Sequence, residues 1–236
     1  MGDIHGEFAN LSQVLYYLKN AHVIQIGDWG MGFNSPEYES KLFAGMDRLC
    51  ETNNLKLSII RGNHDDAKLW LDKDANKEFN DRYERVRLIS DYSTMVIEGR
   101  RILLFGGSVS IDRQWRKEEM FTGGKPIWWE NEVITPPTTK LESYDGVIAH
   151  SCPSFFNLDG EGYMVKRWSK VDSELYEDLK QERAIIDDIF FDTKPLFWLS
   201  GHFHNKLKGD KHDCYYECID INELFNLSEF LNGSEE

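Results

Sequence analysis

Four apolar runs in this chain of 236 residues stop on side chains that carry chemistry. "VIQIGD" ends at Asp28, "LSIIRGNHD" at Asn63 and His64, "GVIAH" at His150, and "LFWLSGHFH" at His202 and His204. Short runs of this kind, bounded by glycine and polar residues, read as strands buried on both faces. In open α/β sheets, functional groups collect beyond the carboxyl ends of such strands. The chain is thereby limited to an α/β fold whose sheet edge gathers Asp, Asn and His. A fifth block, "MGDIHG" at residues 1–6, adds Asp3 and His5 with only Met1 and Gly2 ahead of them. Residues two apart in extended chain face the same way, so Asp3 and His5 can address one point, as can His202 and His204.

The segments between these runs alternate in type. "EFANLSQVLYYLK" sets Phe8, Leu11, Leu15 and Leu18 at helical spacing, and residues 37–53 do the same with Leu42, Met46 and Leu49. "STMVIEGRRILLFGG" reads as two strands joined at Glu98-Gly99-Arg100. Residues 172–191 read as a helix with Leu175, Leu179, Ile185, Ile186 and Ile189 on its apolar side, and "CYYECIDI" as a late strand. The expectation is one domain over 1–236, with a less regular insert at about 108–143. An apolar fraction of 41% supports one good-sized core. No apolar run approaches the roughly 18 residues of a membrane span. The scattered Cys50, Cys152, Cys214 and Cys218 form no CxxC pair and are expected to be reduced in a cytoplasmic protein. A net charge of −14 opposes binding to long nucleic acid and requires that any phosphate site concentrate positive charge locally.

Singly, each polar block has an ordinary explanation: a solvated loop, a surface histidine pair, a hydrogen-bonded core histidine, a Gly-Asn turn. Together they bring mixed oxygen and nitrogen donors to one edge. That donor set suits Mn, Fe, Zn or Co rather than Ca or a cysteine-bound structural Zn.

The five blocks "GDIHG", "GDWG", "RGNHDD", "IAHS" and "SGHFHN", in this order from residue 2 to 205, resemble those of the calcineurin-like metallophosphoesterases. "GGSVSIDRQWR" followed by "WWENE" resembles, more weakly, a subgroup of bacterial and phage members. The resemblance implies a sandwich of mixed β-sheets flanked by helices (α/β/β/α). It also implies a hydrolase of phosphate esters holding two divalent metal ions, Mn first, with Fe, Zn, Co or Ni as alternatives. By this resemblance Asp3, His5 and His204 hold the first ion, Asn63, His150 and His202 the second, and Asp28 bridges both. A hydroxide activated between the ions attacks phosphorus, and His64 serves the leaving group as general acid.

Ser/Thr protein phosphatases carry Gly-Asp-x-x-Asp-Arg-Gly in the second block. Here "GDWGMGF" places Met31 and Gly32 at the Asp and Arg positions. The usual carboxylate that orients His64 is absent there, and Asp65 or Asp66 is the expected substitute. Arg61 and Arg113 are the expected phosphate-binding side chains, while Arg116 reads narrowly as a solvated surface arginine. Trp115, Trp128, Trp129 and Phe121 either stack on a substrate ring or form a small core beneath the insert. The expected partner is a small phosphorylated substrate, a phosphomonoester or a nucleotide or dinucleotide polyphosphate, or else a phosphoprotein. A Ser/Thr protein phosphatase, a phosphodiesterase or nuclease, and a non-catalytic binding protein with a retained metal site are the alternatives. In the family an apolar strand runs into Asp-x-His. Here that first strand is expected to be missing or truncated, with residues 2–5 entering beside "VIQIGD" or "LSIIRG" and a strand-width slot behind Met1.

Overall fold

A computed structural model describes residues 1–125, 127–156 and 162–233. In chain order the elements are α1 (Phe8–Tyr17), β1 (His22–Gln25), α2 (Pro36–Thr52), β2 (Lys56–Ile59), α3 (Lys68–Leu71), α4 (Lys73–Arg82) and β3 (Val86–Leu88). They continue with β4 (Ser93–Ile97), β5 (Arg100–Phe105), α5 (Arg113–Phe121), β6 (Gly146–Ala149), α6 (Tyr163–Trp168), α7 (Leu175–Thr193), β7 (Phe197–Ser200), β8 (Lys208–Lys211), β9 (Cys214–Cys218) and α8 (Leu227–Gly233). β1, β2 and β3 form a parallel three-stranded sheet. The second sheet has the order β4-β5-β6-β7-β9-β8, antiparallel at both edges and parallel between.

Side-chain alternation decides what each sheet face covers. In β5, Ile102 and Leu104 join Ile26, Ile60, Ile148, Phe197 and Leu199 in a core between the two sheets. Leu103 and Phe105 point the other way, with Val147, Ala149 and Trp198, onto Ile186, Ile189 and Phe190 of α7. A third cluster packs Leu57 and Ile59 of β2 against Leu11 and Leu15 of α1 and Phe43 and Met46 of α2. The result is helix, sheet, sheet, helix. Because every central strand is covered on both faces, the runs read as continuously apolar.

The Glu98-Gly99 junction is a two-residue hairpin loop with both residues at positive φ (48° and 74°), as a type I′ turn requires. The polar stretch 68–82, for which the sequence pattern gave no helix, forms α3 and α4. Asp72 caps α4 by accepting from the amides of Asp74 and Ala75.

Residues 1–3 enter beside β1. The Met1 amine donates to the Ile24 carbonyl at 2.8 Å, and the Ile26 amide donates to the Met1 carbonyl at 3.0 Å. On the other side the Gly2 amide donates to Glu223 at 3.0 Å and the Asn222 amide to Asp3 at 2.9 Å. This short segment is the seam between β1 and the turn after β9. A Cβ on Gly2 would overlap the Asp220 carbonyl oxygen, so only glycine fits there.

Candidate metal centre

The loops after β1, β2, β6 and β7 open at one edge, where residues 1–5 also arrive. Two backbone bonds, from Ile4 and His5 to the Asp28 carbonyl at 3.0 and 2.7 Å, fix the first block on the second. Two groups of donors result. Asp3, His5, Asp28 and His204 form one, and Asp28, His150 and His202 the other, with the ligand atoms of each group within 4.8 Å of one another. Asn63 Oδ1 lies 2.9 Å from His150 Nε2 and so faces the second group. All seven residues expected from the sequence meet here, with Asp28 common to both groups.

The donor atoms are arranged for cations rather than for one another. His5 Nε2 and His204 Nε2 lie 2.9 Å apart, and His204 Nε2 lies 3.0 Å from Asp3 Oδ2. Asp3 Oδ1, Asp28 Oδ2 and His202 Nδ1 are buried without a hydrogen-bond partner. An orphaned buried carboxylate oxygen is costly unless a cation completes it. His150 sits between acceptors: Nδ1 is 2.8 Å from the Ile26 carbonyl, and Nε2 faces Asn63 Oδ1 and, at 3.2 Å, Asp28 Oδ1. Burial works against the His150 charge, but the Asp28 carboxylate and its hydrogen bond outweigh it and raise the imidazole to about 10. A proton on Nε2 thus occupies the place a cation takes, and metal binding must displace it. The residues therefore fit two divalent ions.

The glycines at this edge admit close approach. A Cβ on Gly62 would overlap the Asp28 carboxylate. Four of these candidate ligands themselves lie in the left-handed region: His5 (φ 48°), Asp28 (54°), His202 (68°) and His204 (48°).

The calcineurin-like phosphoesterase family model matches residues 1–206. The chain belongs to that family. Its members are metal-dependent hydrolases of phosphate esters that typically use a dinuclear metal site, and this protein is such a phosphoesterase. No curated protein matches it. One crystal structure aligns over 91% of this phosphoesterase and 85% of its own chain at 14% identity and a TM-score of 0.51, a likeness of fold. A phosphopantetheinyl hydrolase from Mycobacterium tuberculosis aligns over 93% of this chain and 88% of its own, at 10% identity and a TM-score of 0.45. A protein of unknown function, AQ665 from Aquifex aeolicus, aligns over 91% and 74% at 17% identity and a TM-score of 0.37. No helix among the described residues is long and apolar enough to cross a membrane.

His64 lies at the rim of the phosphoesterase centre, its Nε2 4.0 Å from Asp28 Oδ2 and its backbone amide 2.8 Å from Asp28 Oδ1. Burial lowers its pKa to about 4, with Arg116 and His5 adding to the effect and Asp28 opposing it. The expected orienting carboxylates do not reach it. Asp65 accepts instead from the amides of Trp29, Gly30, Met31 and Gly62 and staples the loop after β1 to the turn after β2. Asp66 accepts from the Lys68 amide. The side-chain donors near His64 Nε2 are Asn63 Nδ2 at 3.2 Å and Arg116 Nη2 at 3.3 Å.

The arginines correct the sequence reading. Arg61 is fully buried, pairs with Asp91 at 2.8 Å and donates to the carbonyls of Asn131, Glu132 and Val133. Its donors are taken up by Asp91 and by three carbonyls of the insert, which leaves it turned away from the phosphate position. Arg113 grips Asp172 through Nε and Nη2 and Asp178 through Nη1, tying α5 to the start of α7. It too is excluded as a phosphate ligand. Arg116, read as a surface side chain, is held by Asp112 at 2.8 Å and lines the cleft beside His64. Replacing Arg61 with leucine is expected to lower unfolding free energy by about 3–5 kcal/mol, the cost of stranding a buried partner. Denaturant titration measures this. A tenfold rise in KM at unchanged stability would restore Arg61 to phosphate binding.

The aromatic residues of the insert do not gather into one cluster. Trp129 stacks on Phe33 at 6.0 Å, Lys117 lies over the Trp128 ring at 4.0 Å, and Phe121 is 93% exposed. None of the four lines the cleft. Ser108 and Ser110, which the sequence reading passed over, touch His202 and Asn63. They follow β5 directly, so they too stand at a strand end, and that placement was the available signal.

Proposed function

We infer that this phosphoesterase uses two metal ions, bridged by Asp28, to hydrolyse small phosphate monoesters with an apolar or aromatic leaving group. Asp3, His5 and His204 hold one ion, and Asn63, His150 and His202 the other. The observation that carries this reading is the sharing of one buried carboxylate by two complete donor groups. Two divalent ions there supply charge against the phosphoryl oxygens and a nucleophile from water near neutral pH.

The chain's own residues do the rest. A cleft of about 550 Å³ opens from Asn63, His64, His202 and His204. Its lining also includes the apolar Tyr163, Val165, Leu179 and Phe203, together with Arg116 and Arg183. An anionic substrate that draws the Arg116 guanidinium to itself removes one of the two donors at His64 Nε2, and its negative charge favours protonation there. His64 can then give that proton to the departing oxygen. The apolar wall suits the organic part of a small substrate better than an extended polymer, and the charge of −14 disfavours long nucleic acid. Four buried free cysteines support a cytoplasmic setting.

A panel of aryl and alkyl monoesters, mono- and dinucleotides, a phosphopeptide and a phosphodiester, run on metal-stripped protein reloaded with Mn²⁺, tests the reading. Turnover is expected to favour aromatic monoesters, with KM rising at least about tenfold in Arg116→Met through loss of a charge-assisted hydrogen bond. Preference for the diester or the phosphopeptide would overturn the substrate assignment.

A further inference from the structure

Two buried carboxylates outside the ligand set converge on three residues, Ser108-Val109-Ser110. Glu182 of α7 accepts from the Ser108 hydroxyl at 2.9 Å, from the Val109 amide, and from the Ser151 hydroxyl at 3.3 Å. Glu132 accepts from the Ser110 amide at 2.9 Å and the Ser110 hydroxyl at 2.6 Å. Each carboxylate thus binds the same short segment twice, once by backbone and once by hydroxyl. Both are buried, with 3% and 1% exposure.

Each hydroxyl has a single proton, and here it is committed to a carboxylate. Only lone pairs remain for the other neighbour. For Ser108 that neighbour is His202 Nε2 at 3.1 Å, and for Ser110 it is Asn63 Nδ2 at 2.8 Å. His202 must then carry its proton on Nε2, which leaves the unpartnered Nδ1 with a free lone pair. Asn63 must turn its NH₂ to Ser110, which leaves Oδ1 on the side of His150 and Asp28. Neither serine hydroxyl hydrogen-bonds to Asp3, His5 or His204.

We propose that Ser108 and Ser110, backed by Glu182 and Glu132, are positioning residues that decide which atom His202 and Asn63 present to the second metal ion. The proposal rests on the two-metal reading above. In a carboxylate–histidine–metal arrangement the carboxylate fixes the tautomer directly. Here a hydroxyl is interposed, and the direction of its one proton carries the instruction. Glutamine at position 182 cannot reproduce this, because its amide offers one acceptor oxygen to the two groups, Ser108 Oγ and Val109 N, that donate to different oxygens of Glu182.

The test uses the full chain, metal-free, with ¹⁵N-labelled histidine, followed by calorimetric titration with Mn²⁺. Wild type and Ser108→Thr are expected to show His202 as the Nε2–H tautomer and to bind two ions. Ser108→Ala and Glu182→Gln are expected to shift His202 toward the Nδ1–H form. In Ser108→Ala and Ser110→Ala one ion, that of the second donor group, should lose about 10–100-fold in affinity while the other is unchanged. An unchanged His202 tautomer in both Ser108→Ala and Glu182→Gln overturns the proposal, as does equal weakening of both ions. Wild type that takes up a single ion rejects the two-metal reading instead, and the tautomer measurement then still decides whether the serine directs His202.

Discussion

Asp28→Asn is expected to bind fewer than two ions per chain and to lose more than about 10³-fold in turnover, above the cost of removing a single stabilising donor. The argument is electrostatic. Among the described residues Asp28 alone is common to both donor groups, and it is 1% exposed. One of its oxygens accepts from the His64 amide, while the other is buried with no partner. Desolvation opposes its charge, yet His150, His64 and His5 together hold its pKa well below the usual carboxylate range. An asparagine retains the volume and loses the charge that would offset two cations held by the two donor groups. Elemental analysis and calorimetry read the metal content, and the thermal transition reports that the fold persists. An Asp28→Asn protein with two ions and wild-type turnover would sink the bridging role.

His64→Ala should behave differently. It is expected to keep both ions, since His64 belongs to neither donor group. Turnover should fall about 10²–10⁴-fold on alkyl phosphates and much less on an activated aryl phosphate, whose leaving group departs without a proton. The comparison of slopes across leaving-group pKa is the decisive measurement. Equal losses on both substrates would mean that His64 holds the phosphoryl group, through the site it shares with Arg116, rather than protonating the departing oxygen.

The contrast between the arginines shows what could and could not be read in advance. The candidate ligands were legible because a short apolar run followed by Asp, Asn or His carries two signals at once: where a strand ends, and what stands there. Arg61 has the same address, one residue before Gly62, but its side chain turns beneath the insert to Asp91 and three carbonyls more than sixty-nine positions away. Nothing in the local sequence encodes that direction. Arg116 reaches the cleft because α5 brings it there and Asp112, four residues earlier, holds it. Glu182 was visible in principle: it interrupts the apolar side of α7 between Leu175 and Ile186 and is buried with them. A carboxylate on such a stripe signals a hydroxyl or amide waiting for it. Asp65 was misread because its partners are backbone amides, which leave no trace in side-chain spacing.

The four left-handed ligand residues have a thermodynamic consequence. Histidine and aspartate tolerate positive φ better than β-branched residues do, yet each such residue costs on the order of 1 kcal/mol relative to relaxed backbone. His5, Asp28, His202 and His204 all lie there, and Asp3 and Asp28 add buried oxygens with no partner. The sheets around the site hold these residues in that conformation. Ions that bind only the folded chain return stability as RT ln(1 + [L]/Kd), about 2.7 kcal/mol for a site at a hundred times its dissociation constant. Loading with metal and resistance to unfolding would then be two readings of one quantity, and stripping the ions is expected to lower the unfolding temperature as well as silence the site.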